Sequence, residues 1–398
     1  MSVLQELTAG IENQMREVWR HLHRNPELSM KEYHTADYIE ELLRESVTDG
    51  RIKRVGKTGI WVELAGKAPA AGTETIFALR GDMDALPIQE ENDLPYKSAV
   101  PGVMHACGHD VHTAALLGAV KVLQHYLDRI PGKLWFFFQP GEETLSGALT
   151  FLEDPDIDFG KLSGIAGVHV AGDLDAGKVR LKEGPVLASA DLIKIRVTGQ
   201  DGHAAYPHNT RDPIVAAAHL IVELQTLVSR EVNPLDSAVL SLGLIRGGTK
   251  DNIIARDVYI EGTLRTLDKE VRTSLQDSIR RVSRGVALAL RVSIDVEIEN
   301  GALPLINDSG MVKIAVNGLE KTFGAGNVVF AKYPRMGGED FSYFTDKVPG
   351  VFIFIGAKTQ GGKSVIGHTV EFYTDPQSVK SGILAFCSFA LEAFGIDP

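Results

Sequence analysis

The chain has 398 residues, a length that favours about two or three domains. Hydrophobic residues make up 44% and charged residues 23%, as in an average soluble globular protein, so a substantial core can form without disulfide bonds. The net charge of −11 argues against nucleic acid and membrane surfaces as partners, because both attract clustered Lys and Arg. No stretch of the sequence approaches the roughly 18 apolar residues of a membrane-spanning helix.

The first twenty residues and the cysteines bear on the cellular compartment. The first twenty residues carry alternating charge and lack the apolar segment of a signal peptide. The two cysteines, Cys107 and Cys387, lie about 280 positions apart. One disulfide between them is the alternative, but two scattered thiols are more typical of a reducing cytoplasm. We therefore expect a cytoplasmic protein in which Cys107 is available for metal binding or catalysis.

In the first part of the chain, helices alternate with strands. Hydrophobic spacing predicts, in order, helices at 11–22 and 35–43, strands at 60–65 and 75–79, a helix at 113–127, and strands at 133–139 and 164–170. This alternation predicts an α/β fold, a mostly parallel sheet with helices on both faces. Active sites of such sheets lie beyond the carboxyl ends of the strands. Polar residues stand there in this sequence: Asp82 and Asp84, Glu142 and Glu143, and His169.

From about residue 187 the strands become half-exposed. Strands with a period of two are predicted at 192–197, 238–245 and 258–264, and helices at 213–227 and 269–290. We expect an inserted, smaller α+β domain at 185–299. The flanking parts, 1–184 and 300–398, would form one catalytic domain that ends with a strand at 351–355 and a helix at 378–394.

The segment His105-Ala-Cys-Gly-His-Asp-Val-His112 is the strongest indication of chemistry. One cysteine and three histidines within eight residues are rare by chance. Cys107 and His109 can converge on one ion as thiolate and imidazole. The alternative is a helix N-terminus capped by Asp110, with the histidines at the surface.

Two carboxylate pairs accompany this segment. Glu142 and Glu143 follow a strand and cannot both face the same way, so one can bind metal while the other acts as a general base. Asp82 and Asp84 flank Met83 and favour a supporting role, such as fixing a ligand histidine. The alternatives are an acidic loop for the first pair and a simple turn for the second.

His169 and His368 stand alone in the sequence. His169 lies in an apolar segment, where a core histidine is the usual interpretation, and His368 lies in a loop-like segment. Beside the two clusters above, they supply the remaining contacts of a dinuclear site. The sequence contains no Gly-x-Ser-x-Gly motif and no P-loop, which disfavours a serine hydrolase and a nucleotide-binding protein.

Motifs in fixed order over nearly the whole chain resemble the M20 metallopeptidases. Within that family they resemble the amidohydrolase branch of hippurate hydrolases, indole-acetyl-amino-acid hydrolases and N-acetyldiaminopimelate deacetylases. The motifs are RHLHRNPELSMKEYHTADYI, RGDMDALPIQEE, MHACGHDVHTAALLG, FFFQPGEE, GVHV, GHAAYPHNTRDPI, GGTKDNIIARDVYIEGTLRT and MGGEDFSYF, followed by His368. The resemblance implies a zinc-peptidase-like catalytic domain, an inserted lid or dimerisation domain, and two divalent metal ions. A Cys/His/Glu ligand set admits Zn, Mn, Co or Ni.

The resemblance also implies roles for individual residues. The implied metal ligands are Cys107, His109, Glu143, His169 and His368. Glu142 resembles the general base and Asp84 the orienting aspartate. Cys107 stands where most of the wider family has a bridging aspartate. Asp82 stands where the family has a ligand histidine, which leaves its role open.

Three residues of the inserted domain resemble substrate-contacting residues. His203 resembles a histidine that reaches the active site of the partner subunit and stabilises the oxyanion. This implies a homodimer, with a tetramer as the larger alternative. Asn252 and Arg265 resemble residues that hold the substrate carboxylate, a task suited to the bidentate guanidinium of arginine. The alternative for Arg265 is a surface strand residue.

The implied reaction is hydrolysis of an N-acyl amino acid, acetylated or aroylated, to a carboxylic acid and the free amino acid. The segments NIIA, PLDSAV and IEGTLRTL resemble diaminopimelate-type deacetylases and favour N-acetyldiaminopimelate as substrate. The closest alternative is a carboxypeptidase or dipeptidase with the same machinery. An alternative of another class is an inactive binding protein that retains the fold.

Overall fold

The computed structural model describes residues 2–69, 72 and 75–398. The chain divides into two compact units. The first comprises Met1–Gly184, Ile306–Tyr333 and Asp340–Pro398. The second comprises Pro185–Leu305 and Pro334–Glu339, and each unit has its own hydrophobic core.

The α-helices differ in length from one turn to six. Those of the described residues are α1 (Val3–Arg24), α2 (Tyr33–Ser46), α3 (His109–Leu123), α4 (Gly147–Leu152), α5 (Pro213–Thr226), α6 (Lys269–Leu290), α7 (Ser309–Phe323), α8 (Ser342–Lys347) and α9 (Gln377–Ala393). Within the described part of the chain, no helix combines the length and hydrophobicity needed to cross a membrane.

The strands belong to one large sheet, one four-stranded sheet and two short pairs. They are β1 (Gly50–Val55), β2 (Gly59–Ala65), β3 (Ile76–Asp82), β4 (Lys133–Gln139), β5 (Leu162–Asp175), β6 (Val179–Leu181), β7 (Gly184–Leu187), β8 (Asp191–Thr198), β9 (Gly202–His203), β10 (Ala238–Gly247), β11 (Ile253–Ile254), β12 (Asp257–Thr266), β13 (Ser293–Glu299), β14 (Leu305–Asn307), β15 (Val328–Phe330) and β16 (Gly350–Lys358).

The large sheet lies in the first unit and has the strand order β1-β2-β4-β3-β5-β16-β6-β15. Its four central strands, β4, β3, β5 and β16, are parallel neighbours. The antiparallel pairs lie toward the two edges. The predicted α/β fold with a mostly parallel sheet is therefore confirmed. The carboxyl ends of the central strands meet at one edge, where parallel sheets hold their active sites.

The apolar run of β4 is continuous because both faces of the sheet are covered. Phe136 and Phe138 point into the main core, which includes residues of α1, α3 and α9. The ring of Phe137, on the opposite face, lies 5.1 Å from Phe151 of α4 and 5.7 Å from Phe344 of α8. Helices flank this sheet on both faces, as the sequence predicts.

The second unit contains an antiparallel sheet of order β10-β12-β8-β13. Along β8, Ile193, Ile195 and Val197 are buried, while Lys194 and Arg196 are not. The buried residues form a core with α5 and α6 on one face of the sheet. The period of two predicted for these strands thus marks a sheet with one solvent-exposed face.

The sequence analysis did not predict the edge strands β1 and β13 or the helix α7. The segments GRIKRV and SIDVEIE carry charged residues on at least one face and few apolar ones. An edge strand needs only one covered face and one hydrogen-bonded neighbour, so its hydrophobic pattern is weak. β1 pairs with β2, which follows it directly, whereas β13 pairs with β8 and α7 packs on α9, and both of these partners are distant in the sequence.

Two helical glycines give opposite stability predictions. A Cβ on Gly318 of α7 would lie 2.4 Å from the carbonyl oxygen of Ser388, whereas a Cβ on Gly10 of α1 would have no atom within 4 Å. We predict that Gly318→Ala lowers the free energy of unfolding by about 1–3 kcal/mol, because α7 must move away from α9. Gly10→Ala should raise it by about 0.5–1 kcal/mol, because alanine loses less backbone entropy on folding.

Urea unfolding followed by circular dichroism checks both variants. Equal effects of the two substitutions would contradict the close packing of α7 on α9.

Candidate metal centre

Gly108 places Cys107 and His109 against the sheet. Its φ is +90°, and a Cβ there would lie 2.4 Å from Cγ2 of Val170, so both the conformation and the packing require glycine. The helix α3 begins directly after it, at His109. The helix predicted at 113–127 thus begins four residues earlier than expected, because the left-handed Gly108 allows it to start at His109.

Asp84 joins three parts of this site. Its Oδ1 accepts a hydrogen bond from Nδ1 of His109 at 3.0 Å. Its Oδ2 accepts from the Ser29 hydroxyl at 2.6 Å and from the Glu143 amide at 3.0 Å. With Nδ1 bonded to Asp84, the buried Nε2 of His109 has no hydrogen-bond partner among the described residues. Burial acts to lower the pKa of His109, but its contacts with Asp82, Cys107 and Asp84 outweigh burial and raise the pKa well above its usual range. An ion that displaces the Nε2 proton would therefore gain a buried imidazole ligand.

Carboxylate oxygens surround Nε2 of His109. One oxygen each of Asp82 and Glu142 lies 3.8 Å from it, and one of Glu143 lies 4.0 Å from it. All four side chains are no more than 10% exposed. Buried negative charges that repel one another need a compensating cation.

The thiol of Cys107 belongs to two sets of candidate ligands. The ligand atoms of Cys107, His109 and His169 lie within 4.8 Å of one another, and so do those of Cys107, Glu143 and His368. The Cys107 Sγ is 3.4 Å from Nε2 of His169, and Nε2 of His368 is 3.4 Å from Oε1 of Glu143. The structure therefore brings the five predicted ligands together, around a sulfur that two ions could share.

The protonation of these groups fits a metal site. Burial raises the pKa of the Cys107 thiol to about 12, so a metal ion must displace its proton to gain the thiolate. Burial lowers the pKa of His169 well below its usual range and leaves a neutral imidazole. Its Nδ1 donates to the Val170 carbonyl at 2.7 Å, so Nε2 carries the lone pair. Thiolate, imidazole and carboxylate donors together suit Zn, Mn, Co or Ni.

His368 is held in a strained backbone conformation. Its φ is +63°, and its amide donates to the carbonyl of Ala106 at 2.8 Å. The hydrogen bond to Glu143 raises the pKa of His368. A non-glycine residue in the left-handed region costs of order 1–3 kcal/mol, and such strain clusters at functional sites.

Asp82, whose role the sequence left open, supports the ligand-bearing strand β5. Its carboxylate accepts from Arg80 and from Nδ1 of His112, each at 2.6 Å. The Val170 amide donates to Nε2 of His112 at 2.9 Å. Because both nitrogens of His112 are occupied, His112 connects Asp82 to the residue next to His169 instead of binding an ion.

The three predicted residues of the second unit do not all lie together. His203 on β9 pairs with Ile253 on β11, directly after Asn252, before β12 begins. Arg265 lies eight residues after Asp257 along β12, a distance of about 26 Å of strand. His203 and Asn252 are exposed, and Arg265 is half-buried on the face of the sheet away from the helices.

Sequence reasoning missed several residues that support this site. Arg80 is fully buried and bonds to Asp82, to Gln139 at 2.8 Å and to Asp340 at 2.9 Å. An arginine inside a fully buried strand was the available signal, because such a charge requires buried partners. No comparable local signal marked Ser29, which lies far from Asp84 in the sequence.

A buried carboxylate beside candidate ligands for two ions is the arrangement of a metal-dependent hydrolase. Residues 78–392 match the family described as Peptidase family M20/M25/M40, and the chain belongs to this family.

Individual relatives and a solved structure are similar to this chain over most of its length. N-acetyl-L-cysteine deacetylase of Bacillus subtilis (strain 168) is 41% identical over 346 residues, 87% of this chain and 81% of that protein. Thermostable carboxypeptidase 2 of Saccharolobus solfataricus is 34% identical over 391 residues, 96% of each chain. The crystal structure of the YXEP protein of Bacillus subtilis, described as a dinuclear metal binding peptidase from the M20 family, has a TM-score of 0.84 and 31% identity, and the match covers 97% of this chain and 99% of that one.

Behind the metal centre, His23 joins two buried carboxylates. Its Nδ1 lies 2.7 Å from Asp110, next to His109, and its Nε2 lies 3.2 Å from Glu90. Trp19 also donates to Asp110, at 2.9 Å. Burial acts to lower the pKa of His23, but its contacts with Asp110 and Glu90 outweigh burial and raise it to about 9.

We predict a pH-dependent contribution of His23 to stability. Because its folded pKa lies above the unfolded value of 6.5, the contribution is complete below pH 6.5 and is lost as the pH rises through about 9. The free energy of unfolding should fall by roughly 3 kcal/mol over this window relative to His23→Gln. Urea titrations of both proteins across the window measure the difference, and parallel pH profiles would contradict the prediction.

Proposed function

We propose that this protein hydrolyses the amide bond of N-acyl amino acids and releases a carboxylic acid and the free amino acid. The observation that carries the proposal is the position of Glu142, a buried carboxylate beside two ligand sets that share Cys107. The similarity to an N-acetyl-L-cysteine deacetylase supports an acylated amino acid as substrate.

In this proposal the ligands are Cys107, His109, Glu143, His169 and His368. Divalent ions held there would supply Lewis acidity, which polarises an amide carbonyl and lowers the pKa of a water molecule. Glu142 takes a proton from the attacking water and delivers it to the leaving amine. Asp84 keeps His109 in the tautomer whose Nε2 faces the ions.

We assign recognition of the substrate to the second unit. The Ala205 amide donates to Nδ1 of His203 at 3.1 Å, so Nε2 of this exposed ring carries the proton and can donate to an oxyanion. One such donor is worth about 3–4 kcal/mol in the transition state. Asn252 and Arg265 hold the substrate carboxylate.

A carboxypeptidase is the second candidate. The similarity to thermostable carboxypeptidase 2 favours it, because the same ions and base can cleave a C-terminal peptide bond. The two candidates differ in whether the acyl side of the scissile bond is a simple acid or another residue.

A substrate panel separates these candidates. We predict that the protein, loaded separately with Zn, Mn, Co or Ni, cleaves N-acetylcysteine, N-acetyldiaminopimelate or hippurate faster than free dipeptides or longer peptides. Glu142→Gln should lower kcat by about 10³-fold or more, because the base is lost while the ligands remain. Preference for peptides would favour the carboxypeptidase. Binding of acyl amino acids without product release, unchanged in Glu142→Gln, would indicate an inactive binding protein.

We further propose that the protein acts as a homodimer in the cytoplasm, in which His203 serves the site of the partner subunit. His203 and Asn252 lie near the start of β12, whereas Arg265 lies about 26 Å further along this strand. A second copy of the chain could therefore supply His203 and Asn252 to a substrate that is held by Arg265. The free thiols of Cys107 and Cys387 support a reducing compartment. A tetramer would be a pair of such dimers.

An exposed apolar face on α5 supports association. Ile214, Val215 and Val222 are 45%, 48% and 65% exposed, although the opposite side of the helix is already buried in the core. A helix that is apolar on both sides is expected to be covered on both.

Two experiments test the dimer. We predict that Val222→Glu gives a monomer in analytical ultracentrifugation, because a charge would be buried at the interface. Leu288→Glu, at a more exposed apolar position of α6, is the matched control and should leave the assembly unchanged.

For the role of His203, we predict that mixing inactive His203→Ala with inactive Glu142→Gln restores about a quarter of wild-type activity. Half of the dimers are then mixed, and each mixed dimer has one intact site. A fully active monomer, or no restoration in dimers shown to exchange subunits, would refute the trans role.

A further inference from the structure

The N-terminal part of the chain contributes to the metal centre, although it precedes residues 78–392 that match the family. Ser29 donates to Asp84, which in turn accepts from the Glu143 amide. Three residues after Ser29, Glu32 contacts the same loop after β4, at the Gly141 amide. Glu32 is neither a candidate ligand nor the proposed base.

Glu32 is fully buried and accepts three hydrogen bonds. Its Oε1 accepts from the amides of Met30 at 2.7 Å and Gly141 at 2.9 Å. Its Oε2 accepts from the Thr58 hydroxyl at 2.8 Å. Burying a carboxylate is costly unless hydrogen bonds compensate it, so this arrangement is a specific one.

Gly141 is the residue at which the loop turns toward the site. Its φ is +61°, and a Cβ there would lie 2.5 Å from Sδ of Met30. Its carbonyl accepts from the Gly147 amide at 3.1 Å, which closes the turn. Glu142 and Glu143 follow directly, so the orientation of the Gly141 peptide determines where both side chains point.

We propose that Glu32 is a positioning residue for the reaction: its carboxylate accepts a hydrogen bond from the Gly141 amide and thereby sets the direction of Glu142 and Glu143. This inference rests on the proposed roles of Glu142 as base and Glu143 as ligand. Glu32 itself does not touch the substrate or the ions. Ser29, through Asp84, fixes the same loop two residues later.

Three variants separate this role from a general contribution to folding. Glu32→Gln keeps one oxygen for both amides and turns its NH₂ toward Thr58 Oγ1, which can accept a hydrogen bond. Glu32→Leu fills a similar volume without any acceptor. Thr58→Val removes a partner of the same carboxylate but leaves the Gly141 hydrogen bond intact.

We expect kcat for the best substrate of the panel to fall about 30- to 100-fold in Glu32→Leu, because a displaced base loses its alignment. KM should change little. The affinity for Zn²⁺, measured by calorimetric titration of the metal-free protein, should fall about tenfold or more because Glu143 is displaced. Glu32→Gln and Thr58→Val should stay within about threefold of wild type in kcat and in Zn²⁺ affinity.

Folded Glu32→Leu with wild-type kcat and Zn²⁺ affinity would overturn the proposal. So would a Glu32→Gln variant as impaired as Glu32→Leu, since the hydrogen-bond geometry would then not matter. If Glu32→Leu does not fold, Glu32→Asp replaces it, because a carboxylate shorter by one methylene withdraws the acceptor from Gly141 and should lower kcat in the same direction.

Glu142→Gln measured in parallel distinguishes failure of the proposed base from failure of the proposed role of Glu32. If Glu142→Gln remains active, the proposed base is wrong and the role of Glu32 fails with it. If Glu142→Gln is inactive while Glu32→Leu matches wild type, only the role of Glu32 fails.

Discussion

The buried carboxylate of Asp84 accepts hydrogen bonds from three segments that are distant in the sequence: the imidazole of His109, the amide of Glu143 and the hydroxyl of Ser29. Each bond has a separate consequence. The first selects the tautomer of His109, the second directs the loop after β4, and the third attaches the N-terminal segment to both. A buried carboxylate held by three hydrogen bonds tolerates little displacement, so the relative positions of these segments follow from it.

The same arrangement concentrates negative charge. Asp82, Glu142 and Glu143 are largely buried, and each places an oxygen about 4 Å from Nε2 of His109. The fold compensates part of this charge with Arg80 and leaves the rest for metal ions. Metal binding and the final geometry of the site are therefore coupled, because the ligands must lose protons and the carboxylates must stop repelling one another. His112 connects Asp82 to the backbone of β5, because it donates to Asp82 and accepts from the Val170 amide, next to His169.

In the second unit, the candidate functional residues are exposed or half-buried. Its sheet has one buried face, and its candidate substrate residues lie on the short strand β9, on an exposed turn and on the open face of the sheet. Such residues are not constrained by a surrounding core, which suits groups proposed to contact a substrate. The proposed dimer, in which His203 serves the partner subunit, needs a stable interface, and the exposed apolar side of α5 is the surface proposed for it.

Patterns in the sequence predicted the parallel sheet and the alternating strands of the second unit, and the resemblance to the M20 family implied the five candidate ligands. Hydrophobic period and the placement of polar residues at strand ends are local properties that a single chain displays directly. The helix at Lys269–Leu290 and the strand at Lys133–Gln139 have the predicted bounds for this reason. Only the tertiary structure decided how the two neighbouring histidines of α3 are hydrogen-bonded. His109 and His112 are one turn apart on the same helix, yet His109 keeps a free Nε2 while both nitrogens of His112 are used. That difference depends on Asp82, Asp84 and Val170, and contacts between residues so far apart in the sequence exist only after the chain has folded.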